Sequence, residues 1–188
     1  MVKLLFVLMN EYRLWALPQA LAALERRYPG AVEGRVYSVR EINADAGLER
    51  ALLADGAAAD MAFLASHGSI QNLYCFSRLW EALEGRPVYF TSTMGDELAE
   101  LLPRLGLEPA LYAALDSYYQ AGSPADLEGL VLCALNGRLR RGLSPQPSEP
   151  APGAGGVHPG GLPAAGEGGG VPDTDGRRDP AGHRCADP

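Results

Sequence analysis

Apolar residues arrive in short blocks separated by turn residues, and the blocks alternate between two periods. "KLLFVLMN", Lys3 to Asn10, is a nearly continuous apolar run, the pattern of a strand covered on both faces inside a parallel sheet. "LPQALAALERRY" follows, with leucines at 17, 21 and 24 on one helical face; Pro18 suits a first turn and Pro29-Gly30 stops the helix. "GRVYSV" predicts a second strand, "AGLERALLADG" a second helix closed by Gly56, and "DMAFLAS" a third strand. Ser69 is placed to cap the next helix, whose Leu73, Phe76, Trp80 and Leu83 recur at spacings of three and four. Gly85 ends that helix, "RPVYFTST" gives a fourth strand, and "GDELAELLPRL" reads as helix to about Pro103.

Strand and helix alternating across short connections predict an α/β fold. The expected form is a doubly wound, mostly parallel sheet of four to five strands with helices on both faces. Related topologies make the order 2-1-3-4 the expectation. Two extra helices follow, "PALYAALDSYYQAG" and "SPADLEGLVLCALNGRLRR". The second has Ser123 as its cap, Pro124 at the first helical position and Asp126 near the positive end of the helix dipole. Arg138, Arg140 and Arg141 stand at its negative end and read as a solvated terminus. Trp15 and Trp80 are expected in the core, and the Tyr118-Tyr119 pair partly so.

Composition then sets a boundary. Leu143 to Pro188 holds 9 Pro and 11 Gly, and its large aliphatics are only Leu143, Val157, Leu162 and Val171. Such a stretch cannot bury enough apolar area to offset the entropy of ordering it. The expected organisation is therefore an α/β domain over 1–142 and a disordered Pro/Gly-rich tail over 143–188. The net charge of -7 is interspersed, with no Lys/Arg stripe, which argues against nucleic acid as a partner. The N-terminal apolar run is too short for a signal peptide, and nothing approaches 18 apolar residues, so no membrane partner is expected. Cys75, Cys133 and Cys185 form no C-x-x-C; the first two fall on apolar patterns as small core residues. An odd count without an export signal fits a reducing cytoplasm.

In an open parallel sheet, ligands bind outside the carboxyl ends of the strands. The chain delivers Asn10 and Glu11 there after the first strand, Ser66, His67, Gly68 and Ser69 after the third, and Thr91, Ser92, Thr93 and Gly95 after the fourth. The candidate ligand-binding set is Asn10, Glu11, Ser66, His67, Gly68, Ser92 and Thr93. No G-x-G-x-x-G follows the first strand, no P-loop appears, and no G-x-S-x-G elbow is present. "MNEYRLW" is not a flavin-phosphate loop, and His67 stands where a phosphorylatable receiver would carry aspartate. No cofactor is assigned to this chain alone.

His67, the histidine of the foldable part, has two readings. It is a turn residue whose ring bonds a carbonyl, or a polar contact or metal ligand of the kind tetrapyrrole and cobalt chemistry uses. A metal needs several donors, and the neighbours on offer are Glu11 and Asp96, while His158 and His183 fall in the tail. No metal ligand is assigned. Gly68 is expected at positive φ in the tight strand-to-helix turn.

The order of segments then carries a resemblance. "ADMAFLASHGS" before a helix, "EGRPVYFTSTMGDELAEL", and "LYAALDSYYQAGSPADLEGLVLCAL" resemble the start of the large subunit of cobaltochelatase, a family that includes the H subunit of magnesium chelatase. That family shows a His-Gly turn after a strand, a "grPV" strand, and "yy..GG..N" opening an apolar helix. Here Ser123 replaces the second glycine and Asp126 stands where asparagine is usual. The likeness spans Lys3 to Arg141. "SPQPSEPAP" then leads to "GGVHP", which resembles the "G-[IV]-Y-H-P" that opens the next domain of those proteins.

The resemblance implies much about partners. Such subunits are long, bind a tetrapyrrole and a divalent metal (cobalt), and work with separate AAA+ subunits that hydrolyse ATP. Their insertion residues lie in later domains, so no catalytic residue carries over here. The implied function is that of an N-terminal fragment acting in cobalt insertion during cobalamin biosynthesis, inactive alone. The alternative is a free-standing α/β domain that binds a small molecule. A single-chain chelatase using His67 ranks below both, because the ordered region lacks a second histidine. The segment after "GGVHP" shows no periodicity and reads either as a truncated or frameshifted product or as a natural disordered tail.

Overall fold

The computed structural model describes residues 1–137; Arg138, Arg140, Arg141 and the 143–188 segment lie outside them. Strands β1 (Val2–Leu8), β2 (Val32–Ser38), β3 (Met61–Ser66) and β4 (Val88–Ser92) form one sheet in the order β2-β1-β3-β4, every neighbouring pair parallel. Around it run α1 (Glu11–Arg27), α2 (Val39–Ala44), α3 (Ala46–Ala58), α4 (Phe76–Ala82), α5 (Gly95–Leu101), α6 (Pro109–Ala121) and α7 (Pro124–Gly137). This is the doubly wound α/β fold, with four strands and two extra helices at the end of the described chain.

Alternation along each strand feeds two cores. Val2, Leu4, Phe6 and Leu8 of β1 point to one face, where they meet α1, α6 and α7. Leu5 and Val7 point to the other, against residues of α2, α3, α4 and α5. A period of two in a strand with both faces covered demands an apolar residue at nearly every position, and the "LLFVL" run supplies it.

The α1 face carries a row of rings. Phe6 is in register with Phe63, and Phe63 with Tyr89, so one aromatic stands on each of three adjacent strands. Phe6 and Phe63 stack at 4.6 Å between centroids, and Phe63 and Tyr89 tilt at 5.9 Å. Tyr89 then meets Tyr112 and Tyr119 of α6 at 5.5 and 5.8 Å. The row ties the edge strand β4 to its covering helix. Gly129 of α7 would place a Cβ 2.6 Å from the Tyr118 ring, so its bare backbone lets α6 and α7 approach closely.

Several local expectations are corrected. Helix α1 begins at Glu11, two turns before Pro18, because Asn10 caps it by accepting from the Arg13 N–H. Pro18 sits on the exposed side of the helix interior, where a freed carbonyl can turn to water. Gly56 does not close α3; it lies within it, buried, and a Cβ there would come 3.0 Å from Leu79 of α4. The helix expected from Ser69 is split. Ser69 caps only a 3-10 turn (Ile70–Asn72), and α4 starts at Phe76. The break is held by side chains from elsewhere: Glu97 accepts from the Ile70 N–H, while Asn43 accepts from the Tyr74 N–H and donates to the Asn72 carbonyl. Trp15 is 60% exposed rather than core, and Trp80 is half-buried under Arg104.

Replacing the central ring tests the row. Phe63→Ala should cost about 3–5 kcal/mol of unfolding free energy in urea melts, as a large cavity at a buried aromatic does. A cost under about 1 kcal/mol would mean the sheet does not depend on it.

Candidate functional site

The carboxyl ends of β1, β3 and β4 open on a cleft of about 170 Å³ lined by Asn10, Arg13, Ala65, Ser66, His67, Thr91, Ser92, Thr93, Tyr119 and Gln120. It lies where the chain order reverses between β1 and β3, the position the topology favours for a ligand. Each wall has a local cause. Strand β3 ends at Ser66, and the turn beyond it needs Gly68 at φ +91°, as expected. That turn is tied down by its own neighbours. The Ser66 and Ser92 hydroxyls donate to the Gly68 carbonyl at 2.6 and 3.2 Å, and the Gly68 N–H donates to Thr93 Oγ1 at 2.8 Å.

The structure therefore divides the seven candidates. Asn10, His67, Ser66, Ser92 and Thr93 share the cleft. The Ser66 and Ser92 hydroxyls meet at the Gly68 carbonyl and the Gly68 N–H goes to Thr93, which makes the serines and the glycine the frame of the turn. Glu11 does not line the cleft; it is exposed on the first turn of α1, 3.9 Å from Arg40. Asp96 is exposed too, and the carboxylate turned toward the loop is Glu97, bonded by Ser69, Ser92 and the Ile70 N–H. The His67 ring is exposed and has no hydrogen-bond partner among the described residues, so the reading in which it bonds a carbonyl is set aside.

Arg13 was not among the sequence candidates, yet it organises the opposite wall. Its guanidinium donates to the carbonyls of Gly122 and Gln120 at 3.1 and 3.2 Å, and it lies 5.0 Å from the centre of the Tyr119 ring. A cation at the carboxyl end of α6 meets the negative pole of that helix and satisfies carbonyls the helix leaves unpaired. The signal was legible in spacing. Arg13, Leu17, Ala20 and Leu24 fall at intervals of four, three and four, which puts a charge on the buried stripe of α1.

Beneath the cleft, Tyr89 donates to Asp116 at 2.8 Å and Tyr112 to the Phe90 carbonyl at 2.9 Å. Burial, reinforced by Asp116, pushes the Tyr89 phenol far up and the Tyr112 phenol to about 12. Burial likewise raises Tyr119, against the pull of Arg13. The Cys75 and Cys133 thiols are also raised by burial, which fits core residues rather than nucleophiles. Among the described residues no group of three or more His, Cys, Asp or Glu side chains could hold a metal ion, and no helix is long and apolar enough to cross a membrane.

No protein-family model matches the chain, and no curated protein matches it.

Two outcomes follow from this geometry. Gly122 has φ +71°, and a Cβ there would lie 1.8 Å from the Arg13 guanidinium. Gly122→Ala should cost about 2 kcal/mol in urea melts, and less in an Arg13→Met background; equal costs in both would rule out the contact. The tyrosines set an alkaline limit. A folded pKa above the unfolded value of 10 gives stability that is complete below pH 10 and is lost as pH rises through about 12. Tyrosinate absorbance should show Tyr112 ionising late and Tyr89 only with unfolding; full titration at ordinary tyrosine pH in a folded protein would contradict it.

Proposed function

We propose that this chain is the N-terminal α/β module of a cobaltochelatase-type large subunit, acting in ATP-dependent cobalt insertion into a corrin precursor. In this reading it positions or docks and leaves the insertion chemistry to the rest of the assembly. The observation that carries it is where the family-like segments fall on one architecture. "ADMAFLASHGS" runs into β3 and its His67-Gly68 turn, "RPVYF" forms β4, and "SYYQAGSPADLEGL" turns from α6 into α7 beside that same cleft.

The two departures from the family pattern bond each other. Ser123 and Asp126 form a reciprocal capping box: the Asp126 N–H donates to Ser123 Oγ, and Asp126 Oδ2 accepts from the Ser123 N–H and hydroxyl. The pair opens the apolar helix α7 at the positions where the family motif has glycine and asparagine. The cleft supports a supporting role rather than a macrocycle site. At about 170 Å³ it is smaller than the roughly 300–1,000 Å³ of sites for drug-sized ligands.

A second reading is favoured by the free His67 ring at the strand ends: a free-standing module for a small polar ligand. Reconstitution separates the two. This chain, a separately expressed remainder of a cobaltochelatase large subunit and the AAA+ partners should together insert cobalt with ATP. The chain with the partners alone should not. Insertion by the chain without the remainder, or unchanged insertion by the remainder without the chain, would overturn the module reading.

A further inference from the structure

We infer that the strand-end cleft is a subsite for a small oxyanion head of the carboxylate class, held by His67, Asn10 and Thr93 beside the Arg13 charge. The inference deepens the ligand-binding reading of that cleft and does not need the chelatase assignment.

The argument is one of charge and hydrogen-bond valence. In a chain with 23 acidic and 16 basic residues, the cleft lining contains Arg13 and His67 but no Asp or Glu. Two other surface hollows are balanced: one carries Glu81 and Glu84 with Arg86 and Arg104, another Glu33 and Asp55 with Lys3 and Arg35. Arg13 pairs with two main-chain carbonyls and the rings of Tyr12 and Tyr119, and among the described residues with no carboxylate. The acids nearest the cleft, Asp116 and Glu97, stand behind its lining, bonded by Gln120 and Ser92, and neither forms an ion pair with Arg13 among the described residues.

Acceptors in the cleft are largely spoken for. The Gly68 carbonyl takes two hydroxyls, and the Gln120 and Gly122 carbonyls take Arg13. Asn10 Oδ1 takes the Arg13 N–H as the helix cap, which leaves the amide NH2 as its free end. Thr93 Oγ1 takes the Gly68 N–H, which leaves its hydroxyl hydrogen to give. The His67 ring has one N–H when neutral and two when protonated. The Gln120 amide donates to Asp116 and keeps one oxygen as the exception. Asn10, Thr93 and His67 thus offer unspent N–H and O–H groups in a lining that holds Arg13 and no acid, which suits acceptor atoms with negative charge. One guanidinium with neutral donors suits a singly charged carboxylate better than a doubly charged phosphate, which calls for more cations. The source is either a free small acid or a carboxylate arm of a larger ligand.

The test is a solution NMR titration of the whole chain, following the His67 ring and the Asn10 side-chain amide. Acetate and succinate are the probes; phosphate, methylammonium and chloride at matched ionic strength are the controls. A metal-free porphyrin with carboxylate arms, against its methyl ester, distinguishes a free acid from an arm. Saturable shifts with a Kd on the order of millimolar are expected for the carboxylates, as befits a ligand of few atoms. Asn10→Asp keeps a good cap oxygen but turns the free donor into a charged acceptor. It should weaken binding about tenfold or more with the thermal midpoint retained, and His67→Ala should weaken it about fivefold. Linear shifts without saturation, tighter binding of phosphate than of acetate, or binding undisturbed by Asn10→Asp would each overturn the inference. Failure here leaves the reconstitution result standing, and a failed reconstitution leaves this binding in place, so the two readings fall separately.

Discussion

The in-register row Phe6, Phe63 and Tyr89 constrains the rest of the molecule. Because partners in a parallel sheet sit side by side on one face, three rings at matched register make a continuous apolar wall, and slipping one strand by a single residue would throw its ring to the other face. The wall ends at the edge strand, where Tyr89 has a polar tip. Its hydroxyl needs a buried acceptor, and Asp116 of α6 supplies one, so the position of α6 follows from the chemistry of one phenol. Helix α7, with Leu127, Leu130, Val131, Leu132, Ala134 and Leu135 buried, then packs against both α6 and α1.

The cleft is a by-product of that placement. With α6 fixed over β4, its carboxyl end arrives at the carboxyl ends of the strands and brings the Gln120 and Gly122 carbonyls to the cleft wall. Arg13 answers them from α1. The same guanidinium that caps α6 sets the electrostatic sign of the cleft, so structure and recognition are coupled through one side chain. Gly122 belongs to this coupling for a steric reason, since both its φ and its distance from Arg13 exclude a Cβ.

The sheet was legible because its signal is redundant. Each strand is a dense apolar run, and the connections between runs are too short for anything but parallel crossovers of one hand. Helix boundaries were less legible, because they are decided by bonds across long sequence separations. Glu97 and Asn43 hold the chain open between Ile70 and Tyr74 from 27 to 31 residues away, and no local pattern announces that. Asn10 was read as a ligand residue when it is first a helix cap, and Pro18 drew attention away from the true start of α1. Arg13 could have been found from its place on the apolar stripe, where a charge asks for a buried partner. The strand-end serines were foreseen in place but not in role: a hydroxyl at a turn serves its nearest carbonyl before any ligand.

That last point decides what kind of site a polar strand end can be. A list of hydrophilic residues at the top of a sheet says little, because most of their valence is consumed in closing the turns that put them there. Ser66, Ser92 and Gly68 are occupied in this way, and Glu97 is occupied one layer below. The valence left after these closures includes the donor groups of Asn10, Thr93 and His67, beside one cation. Recognition in such a cleft is defined by subtraction. What the fold has already satisfied fixes the sign and the hydrogen-bond polarity of what can still be bound.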